Sequence, residues 1–365
     1  MNDMVKIINQ FRKEALDKIR RGNAIGYFCS YVPAEIIESY GFIPVRLAGL
    51  GSVHAENEGE KFIHNEACSF CKESLGANSL KLPPYNNIKR LIIPSGCDQM
   101  KRHGEILERS FNAQNYPLFV PATHEDESSL DIYWKEIKWI NSELESIASG
   151  KRDLKEIVSQ YNKARKRLMR LNNIIEYQSF FELMHLFFIS PVKDFHACLD
   201  EIEKSVEIPI PKHSGRHDNK DKIRLMIVGS PIGYGDNFIQ NALEKSTDAS
   251  IVYDATCTGN RFIKIDVPLS GDIIANIALA YFNRPSCVWR RPNSGFYQYI
   301  KKVVERYRVQ GVIYKTLKFC DLWKYEVKRF KDWVNLPVIQ IENTYSPAQN
   351  AQISKRIAAF LETFR

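Results

Sequence analysis

The sequence lacks an apolar run long enough to cross a membrane. A membrane-spanning helix needs about 20 consecutive apolar residues, whereas the most apolar stretch, 183–189, contains His185 and is followed by Pro191. Residues 1–20 carry a charge every few positions, which is typical of an amphipathic helix rather than of a signal peptide. We therefore expect a cytoplasmic protein that does not associate with membranes.

Motifs that bind nucleotides or nucleic acids are missing as well. No GxxxxGK[ST] loop occurs, and the glycines of GSPIGYGD (229–236) do not follow the GxGxxG pattern. The net charge of +8 is spread through the chain, and its main concentrations, 163–170 and 212–222, contain no interleaved aromatic residues. These stretches fit solvated helix faces and a linker, or a surface for an anionic partner. We expect neither ATP hydrolysis by this chain nor nucleic-acid binding.

What is present is a repeated alternation of strand-like and helix-like segments. The chain has 365 residues, of which 44% are hydrophobic, and this length favours two domains. Short apolar segments that predict strands occur at 24–30, 43–49, 90–98, 116–123, 223–233, 249–256, 311–319 and 336–342. Helical patterns lie between them, which indicates parallel sheets built from βαβ units. The predicted fold is therefore α/β, with two doubly wound, flavodoxin-like sheets.

The same pattern predicts the domain organisation. Residues 1–125 form an N-terminal α/β domain, 126–205 form a helical segment, 206–221 form a linker, and 222–365 form a C-terminal α/β domain. In the last helix, Ser346, Pro347 and Gln349 have the spacing of a capping box.

The chain has eight cysteines, and in a reducing compartment they are not expected to form disulfides. Four of them follow predicted strands, two in each half: Cys29, Cys97, Cys257 and Cys320. Because ligands of open α/β sheets bind beyond the carboxyl ends of the strands, these four thiols are predicted to converge on one cleft between the domains.

Two further cysteines, Cys68 and Cys71, form a CxxC pair whose sulfurs share one face of a helical turn. Several thiolates together favour zinc or an iron–sulfur cluster. Structural zinc sites usually contain two close cysteine pairs, so the wide spacing of the remaining cysteines favours a cluster in a cleft. Cys198 lies in a helical pattern with no chemical neighbours, and we interpret it as a packing residue.

Seven segments carry a resemblance to a known family. They are GYFCSYVPAEIIESYGFIPVRLAG, ACSFCKESLGA, LIIPSGCDQMKR, IVGSPIGYGD, YDATCTGNR, GVIYKTLKFCD and IENTYSPAQ. Together they resemble the 2-hydroxyacyl-CoA dehydratase/benzoyl-CoA reductase (D-component) family from about Gly22 to the C-terminus. The resemblance implies α/β domains around a [4Fe–4S] cluster that receives electrons from a separate ATP-hydrolysing iron–sulfur activator. The dehydratases of this family eliminate water by way of a ketyl radical.

The resemblance also implies a ligand set. A cluster site of three cysteines maps to Cys68, Cys97 and Cys320, and Cys71, Cys257 and Cys287 add a second set of three. Three plus three is similar to the double-cubane cluster branch, homodimers in which two cubanes joined by a sulfide form an [8Fe–9S]-type cluster that reduces small molecules. The assignment of each cysteine to one cubane stays open, and Cys29 either binds the cluster or lines its pocket.

Two other residues near these motifs are candidates for catalysis. Ser30 either contacts an open iron position or bonds a local amide, and His103 is either a proton donor or a surface helix residue. We favour a double-cubane reductase of a small substrate. One alternative is the [4Fe–4S] subunit of a 2-hydroxyacyl-CoA dehydratase. Another is a structural or electron-storage protein whose fold is stabilised by bound zinc or by a cluster.

Overall fold

The computed structural model describes residues 2–148, 150–205, 222–244 and 248–365. Within these residues the strands are β1 (Ala24–Tyr27), β2 (Ile43–Arg46), β3 (Arg90–Pro94), β4 (Gln114–Leu118), β5 (Ile223–Gly229), β6 (Ala249–Asp254), β7 (Gly311–Leu317) and β8 (Val338–Asn343). The helices are α1 (Asn2–Arg21), α2 (Ala34–Ser39), α3 (Val53–Gly59), α4 (Ser69–Ser79), α5 (Asp98–Phe111), α6 (Glu127–Ser146), α7 (Leu154–Asn172), α8 (Tyr177–Phe187), α9 (Val192–Ser205), α10 (Phe238–Glu244), α11 (Asn260–Ile263), α12 (Ile273–Phe282), α13 (Ser294–Tyr307), α14 (Asp321–Val334) and α15 (Asn350–Glu362). In the described part of the chain, no helix is long and apolar enough to span a bilayer.

The strands form two four-stranded sheets with the same topology. The first has the order β2-β1-β3-β4 and the second β6-β5-β7-β8, and every pairing is parallel. Each sheet therefore has a switch point, between β1 and β3 in one and between β5 and β7 in the other. The carboxyl end of the sheet at such a point is where α/β proteins bind ligands. The α/β prediction is confirmed.

Both sheets lie inside layers of helices, which explains the apolar strands. Every residue of β1 and of β7 is buried. Parallel strands covered on both faces have near-continuous runs of apolar residues rather than alternation. Those runs are the strongest signal for the inner strands, whereas the edge strands β4 and β8 also carry less buried residues.

Four helices, α6 to α9, separate the two sheets along the chain, as the helical pattern predicts. Arg165 of α7 is fully buried and pairs with Glu35 of α2 at 2.5 Å. It also donates to the hydroxyl of Tyr281 of α12 at 3.0 Å. This helical segment therefore ties the two α/β halves together. The domain boundaries stay a prediction, and the expected linker 206–221 lies outside the described residues.

The halves also meet through glycines of two loops. The amide of Tyr234 donates to the carbonyl of Gly49 at 2.9 Å, and the amide of Gly235 donates to the carbonyl of Leu50 at 2.6 Å. A Cβ added at Gly233 would lie 2.9 Å from the nitrogen of Gly51, too close for any side chain. The glycines of GSPIGYGD thus allow backbone to touch backbone between the halves.

Some local predictions were wrong at the ends of elements. Seven strands stop before the ends of their predicted ranges, and β4 begins at Gln114 rather than at Tyr116. The eighth, β8, is shifted and runs from Val338 to Asn343 rather than over 336–342. The capping box does not form: Ser346 makes no side-chain cap, and Gln349 instead accepts from the amide of Thr344 at 3.2 Å. Residues 347–349 form a single 3-10 turn before α15. Side-chain competition for nearby amides decides such caps.

Candidate functional site

The two halves enclose a cavity of about 490 Å³ between their strand ends. Of the eight cysteines, seven line this cavity: Cys29, Cys68, Cys71, Cys97, Cys257, Cys287 and Cys320. They come from both halves of the chain. All six residues predicted as cluster ligands are therefore brought together, and Cys29 joins them.

The parallel topology explains most of this convergence. Cys29 follows β1 and Cys97 follows β3, so they lie on either side of the switch point of the first sheet. Cys320 and Cys257 follow β7 and β6 of the second sheet. All carboxyl ends of a parallel sheet lie at one edge. The thiols that follow the strands of each sheet therefore lie on the side that faces the other sheet.

Three of the cysteines stand directly before a helix. Cys68, Cys97 and Cys320 are the N-cap residues of α4, α5 and α14, and none of their side chains makes a cap hydrogen bond. No cap hydrogen bond therefore holds these three sulfurs to their own helices. The first amides of a helix carry partial positive charge, which stabilises a thiolate at that position.

The CxxC pair occupies the start of α4 and is fixed by α5. The amide of Cys68 donates to the side chain of Gln99 at 2.9 Å, and the Cys71 thiol lies 3.8 Å from the carbonyl of Gln99. One residue of α5 thus sets the position of both sulfurs.

Interactions between the thiols divide them into two groups. The Cys68 thiol is within hydrogen-bonding reach of Cys71 and of Cys320. On the other side, the Cys287 thiol interacts electrostatically with Cys257 and Cys29. Cys97 lies between the groups and interacts with Cys320, Cys29 and Cys287.

The surroundings of Cys97, Cys287 and Cys320 favour the protonated thiol as long as no cation binds. Burial raises the pKa of Cys97 to about 12 and that of Cys287 to about 11. At Cys320 the thiol of Cys68 and burial both raise the pKa. A bound metal reverses this preference because its positive charge stabilises the thiolates. We therefore expect these three cysteines to be thiolates only when a strongly cationic group is bound.

The spacing of the donors does not suit a single ion. Among the described residues, no three His, Cys, Asp or Glu side chains form a group that could hold one metal ion. The cysteines of an iron–sulfur cluster, however, each bind a different iron. Their sulfurs therefore lie around a cluster rather than around one point. A 490 Å³ cavity lined by seven thiols fits such a group.

The remaining wall is largely apolar. Aromatic and aliphatic side chains that line the cavity include Phe119, Val120, Trp289, Leu322 and Trp323. Phe119 is half exposed, so the cavity opens to solvent beside it. An apolar wall lowers the local dielectric constant, which strengthens electrostatic interactions inside the cavity.

Both predicted catalytic residues lie outside the set that lines the cavity. His103 is fully buried, so its interpretation as a surface residue was wrong: its Nε2 lies 3.0 Å from the Ser74 hydroxyl, and its ring packs against Phe28. Burial lowers the pKa of His103 to about 3, which removes the charged form that a proton donor needs near neutral pH. Ser30 is buried, and its carbonyl accepts from Arg284.

Cys198 is buried within α9 and does not line the cavity, in agreement with its interpretation as a packing residue.

Sequence reasoning missed the arginines of the site. Arg46, the last residue of β2, donates to the carbonyl of Cys257 at 2.6 Å and to its sulfur at 3.4 Å. The available signal was a charged residue that ends an apolar strand, within the segment IPVRLAG.

Comparisons with known proteins agree with this geometry. The family model of the 2-hydroxyglutaryl-CoA dehydratase D-component matches residues 29–364. YjiM of Escherichia coli (strain K12), named as a provisional dehydratase subunit, is 24% identical over 99% of each chain. One of the subunits of the benzoyl-CoA reductase of Thauera aromatica is 21% identical, over 93% of this chain and 90% of its own.

A third relative is the (R)-phenyllactyl-CoA dehydratase beta subunit of Clostridium sporogenes, 22% identical over 99% of this chain and 98% of its own. The family match begins just after β1, spans the other seven strands and includes every cysteine of the cavity. The chain therefore belongs to the 2-hydroxyglutaryl-CoA dehydratase D-component family, as its sequence motifs predict.

Proposed function

We propose that this protein is an iron–sulfur redox enzyme whose cavity holds a double-cubane [8Fe–9S]-type cluster. The observation that carries the proposal is the convergence of seven thiols from both halves on one cavity. A cluster of two cubanes needs six cysteine ligands, and a single [4Fe–4S] unit with an open iron needs three. The number of thiols therefore favours the larger cluster.

The grouping of the thiols suggests how the ligands are shared. Cys68, Cys97 and Cys320, the set implied by the family resemblance, sit at helix starts. Cys71 lies beside Cys68, and Cys257 and Cys287 lie at the opposite side of the cavity with Cys29. Cys29 has a φ of 54°, a strained value for a residue other than glycine. Strain at this position is consistent with a seventh thiol that has a role at the cluster.

When bound, the cluster supplies low-potential electrons to a small-molecule substrate. The protein binds it through thiolates, keeps solvent from it through the apolar wall, and leaves an entrance beside Phe119. The proposed electron donor is a separate ATP-hydrolysing [4Fe–4S] activator, as the family resemblance implies. The sequence of this chain itself carries no nucleotide-binding loop. We further propose a cytoplasmic homodimer, as in the double-cubane branch.

A second candidate is the [4Fe–4S] subunit of a 2-hydroxyacyl-CoA dehydratase. It is favoured by the names of the relatives, which include a phenyllactyl-CoA dehydratase subunit. That function requires only three cysteine ligands and a second, different subunit. It leaves four of the seven cavity thiols without a ligand role.

Metal analysis after anaerobic purification distinguishes these functions. We expect about eight irons and about nine acid-labile sulfides per chain for the double-cubane cluster, and about four of each for the alternative. Size-exclusion chromatography with light scattering measures whether the chain is a homodimer. A colourless protein that folds without iron would contradict both functions.

Variants test which thiols bind. Cys71→Ala tests the thiol beside Cys68, and Cys287→Ala tests the opposite side of the cavity. Iron loss in Cys287→Ala separates the candidates, because it is expected only if the second set of cysteines holds a cubane. Cys198→Ala is the matched control, a buried cysteine outside the cavity. An EPR spectrum of the reduced protein shows whether the remaining cluster has changed type. Full iron retention in Cys71→Ala would remove this residue from the ligand set.

A further inference from the structure

On one side of the cysteine cavity lie three buried arginines that form no ion pair with any described residue, and of these only Arg46 lines the cavity itself. The first is Arg46, which is 4% exposed and donates to the carbonyl and the sulfur of Cys257. Its guanidinium lies between the rings of Phe188 and Phe262, with 4.6 Å to each centroid. Its Nε is buried without a hydrogen-bond partner.

The second is Arg261 of α11, which is 1% exposed. Its Nη1 donates to the carbonyl of Ser286 at 3.1 Å, next to Cys287 in the chain. Its Nη2 is buried with no hydrogen-bond partner. The thiols of Cys287 and Cys257 are its strongest electrostatic partners.

The third is Arg284, which is 4% exposed and donates to the carbonyls of Ser30 and Arg261. Ser30 follows Cys29, whose thiol interacts electrostatically with this arginine. Each arginine is thus placed against the group of Cys29, Cys257 and Cys287.

Burying a guanidinium without an anion is costly, and elsewhere the protein offsets that cost with a carboxylate or, at the fully buried Arg290, with three backbone carbonyls. Arg46 and Arg261 differ from Arg290 because each keeps a guanidinium nitrogen without a hydrogen-bond partner. Arg165 is equally buried and has Glu35 at 2.5 Å. Among the ion pairs of the described residues, none joins Arg46, Arg261 or Arg284 to a carboxylate. The three positive charges therefore form no ion pair within this part of the chain, although Arg261 also acts electrostatically on the buried carboxylate of Asp254.

The opposite side of the cavity is different. The groups that act most strongly on the thiols of Cys68, Cys97 and Cys320 are other thiols, a hydroxyl, backbone amides and burial, and no cation is among them. The arginines are therefore a feature of one side only.

We propose that Arg46, Arg261 and Arg284 form a cationic wall beside Cys29, Cys257 and Cys287, with Arg46 at the cavity surface, which offsets the negative charge of the cluster on that side and raises its reduction potential. The inference rests on the proposed function, because it takes an anionic thiolate-bound cluster as the missing counter-charge. It adds three positioning residues that compensate charge without being ligands.

The first test is the reduction potential, followed by EPR in a redox titration of the anaerobically purified protein. Arg261→Met removes one positive charge beside the cluster, which favours its oxidised form. At a fixed potential we expect the ratio of oxidised to reduced cluster to rise at least about tenfold, which is about 59 mV for a one-electron couple. Arg261→Lys, which keeps the charge, should retain most of the wild-type potential.

The second test is the thermal stability of the metal-free protein against that of the iron-loaded protein. Without an anion beside them, the buried arginines lower the stability of the fold. Arg261→Met and Arg46→Met should therefore leave the Tm of the metal-free protein unchanged or higher. With the cluster bound, the same variants should lower the Tm. The control is Arg165→Met combined with Glu35→Gln, which removes a buried guanidinium without changing the net charge. It should lower both Tm values alike and leave the potential unchanged.

The outcomes separate the inference from the function on which it rests. A wild-type protein without iron refutes the proposed function itself. An iron-loaded wild type whose potential is unaltered in both Arg46→Met and Arg261→Met, with metal-free Tm values that fall as in the control, overturns the cationic wall. Folded Arg261→Met that loses iron, with iron retained in Arg261→Lys, supports it.

Discussion

Replacing His103 with Gln should remove a specific part of the acid sensitivity of the fold. His103 is fully buried, and burial lowers its pKa to about 3, against about 6.5 in an unfolded chain. Between these values the unfolded state binds a proton that the folded state does not. The free energy of unfolding therefore falls as the pH decreases from about 6.5 towards 3.

The magnitude follows from the same two pKa values. Between pH 7 and pH 5, His103 should account for a loss of about 2 kcal/mol in the free energy of unfolding, or about 1.4 kcal/mol for each pH unit below 6.5. For a chain of this length, 2 kcal/mol corresponds to a fall of about 2–3 °C in Tm. His185 is also buried with a lowered pKa, so the wild-type dependence includes a second contribution.

The assay is urea unfolding of the metal-free protein at pH 7, 6 and 5, because an iron–sulfur cluster would add its own acid sensitivity. His103→Gln keeps a polar group opposite Ser74 but cannot titrate in this range. Comparing slopes with pH, rather than absolute stabilities, cancels the packing change. Identical slopes in wild type and variant would refute the argument that His103 is buried in its neutral form.

Three further predictions concern the site and the contact between the halves. Cys320→Ala should lose iron and activity together, measured by metal analysis, whereas Cys198→Ala should keep both; equal iron in the two variants would remove Cys320 from the ligands. Gly233→Ala should separate the halves, because its Cβ would lie 2.9 Å from the Gly51 nitrogen; unchanged iron content and Tm would contradict this. Arg165→Met should lower the free energy of unfolding by about 3–5 kcal/mol in a denaturant titration, because a buried carboxylate loses its partner. A loss below about 1 kcal/mol would show that this pair contributes little.

The fold was largely predictable because buried parallel strands are visible as apolar runs. All eight strands occur where such runs are found, and the order of the strands explains why cysteines after β1, β3, β6 and β7 meet. The sequence rule that ligands bind beyond strand ends was sufficient to place Cys29, Cys97, Cys257 and Cys320 at one cavity.

Other features depend on contacts between distant segments and left no local signal. His103 lies on a helix whose sequence looks exposed, and only its packing against Phe28 and Ser74 makes it a core residue. The glycines at 233 and 235 resembled an ordinary turn, whereas they also touch a loop nearly two hundred residues earlier. Arg46 and Arg261 become notable only when their neighbours and their missing carboxylates are known.

The two sides of the cavity use different means to favour negative charge, and the fold explains the difference. Cys68, Cys97 and Cys320 each begin a helix of 11 to 14 residues, whose first amides provide partial positive charge. Cys29 and Cys287 lie in loops, and the helix after Cys257 has only four residues. Where the chain offers no long helix start, arginines from other segments supply full charges instead. A cluster that spans the cavity would have positive charge next to it on both sides. A cluster bound only at the helix starts would leave those arginines without an anion beside them.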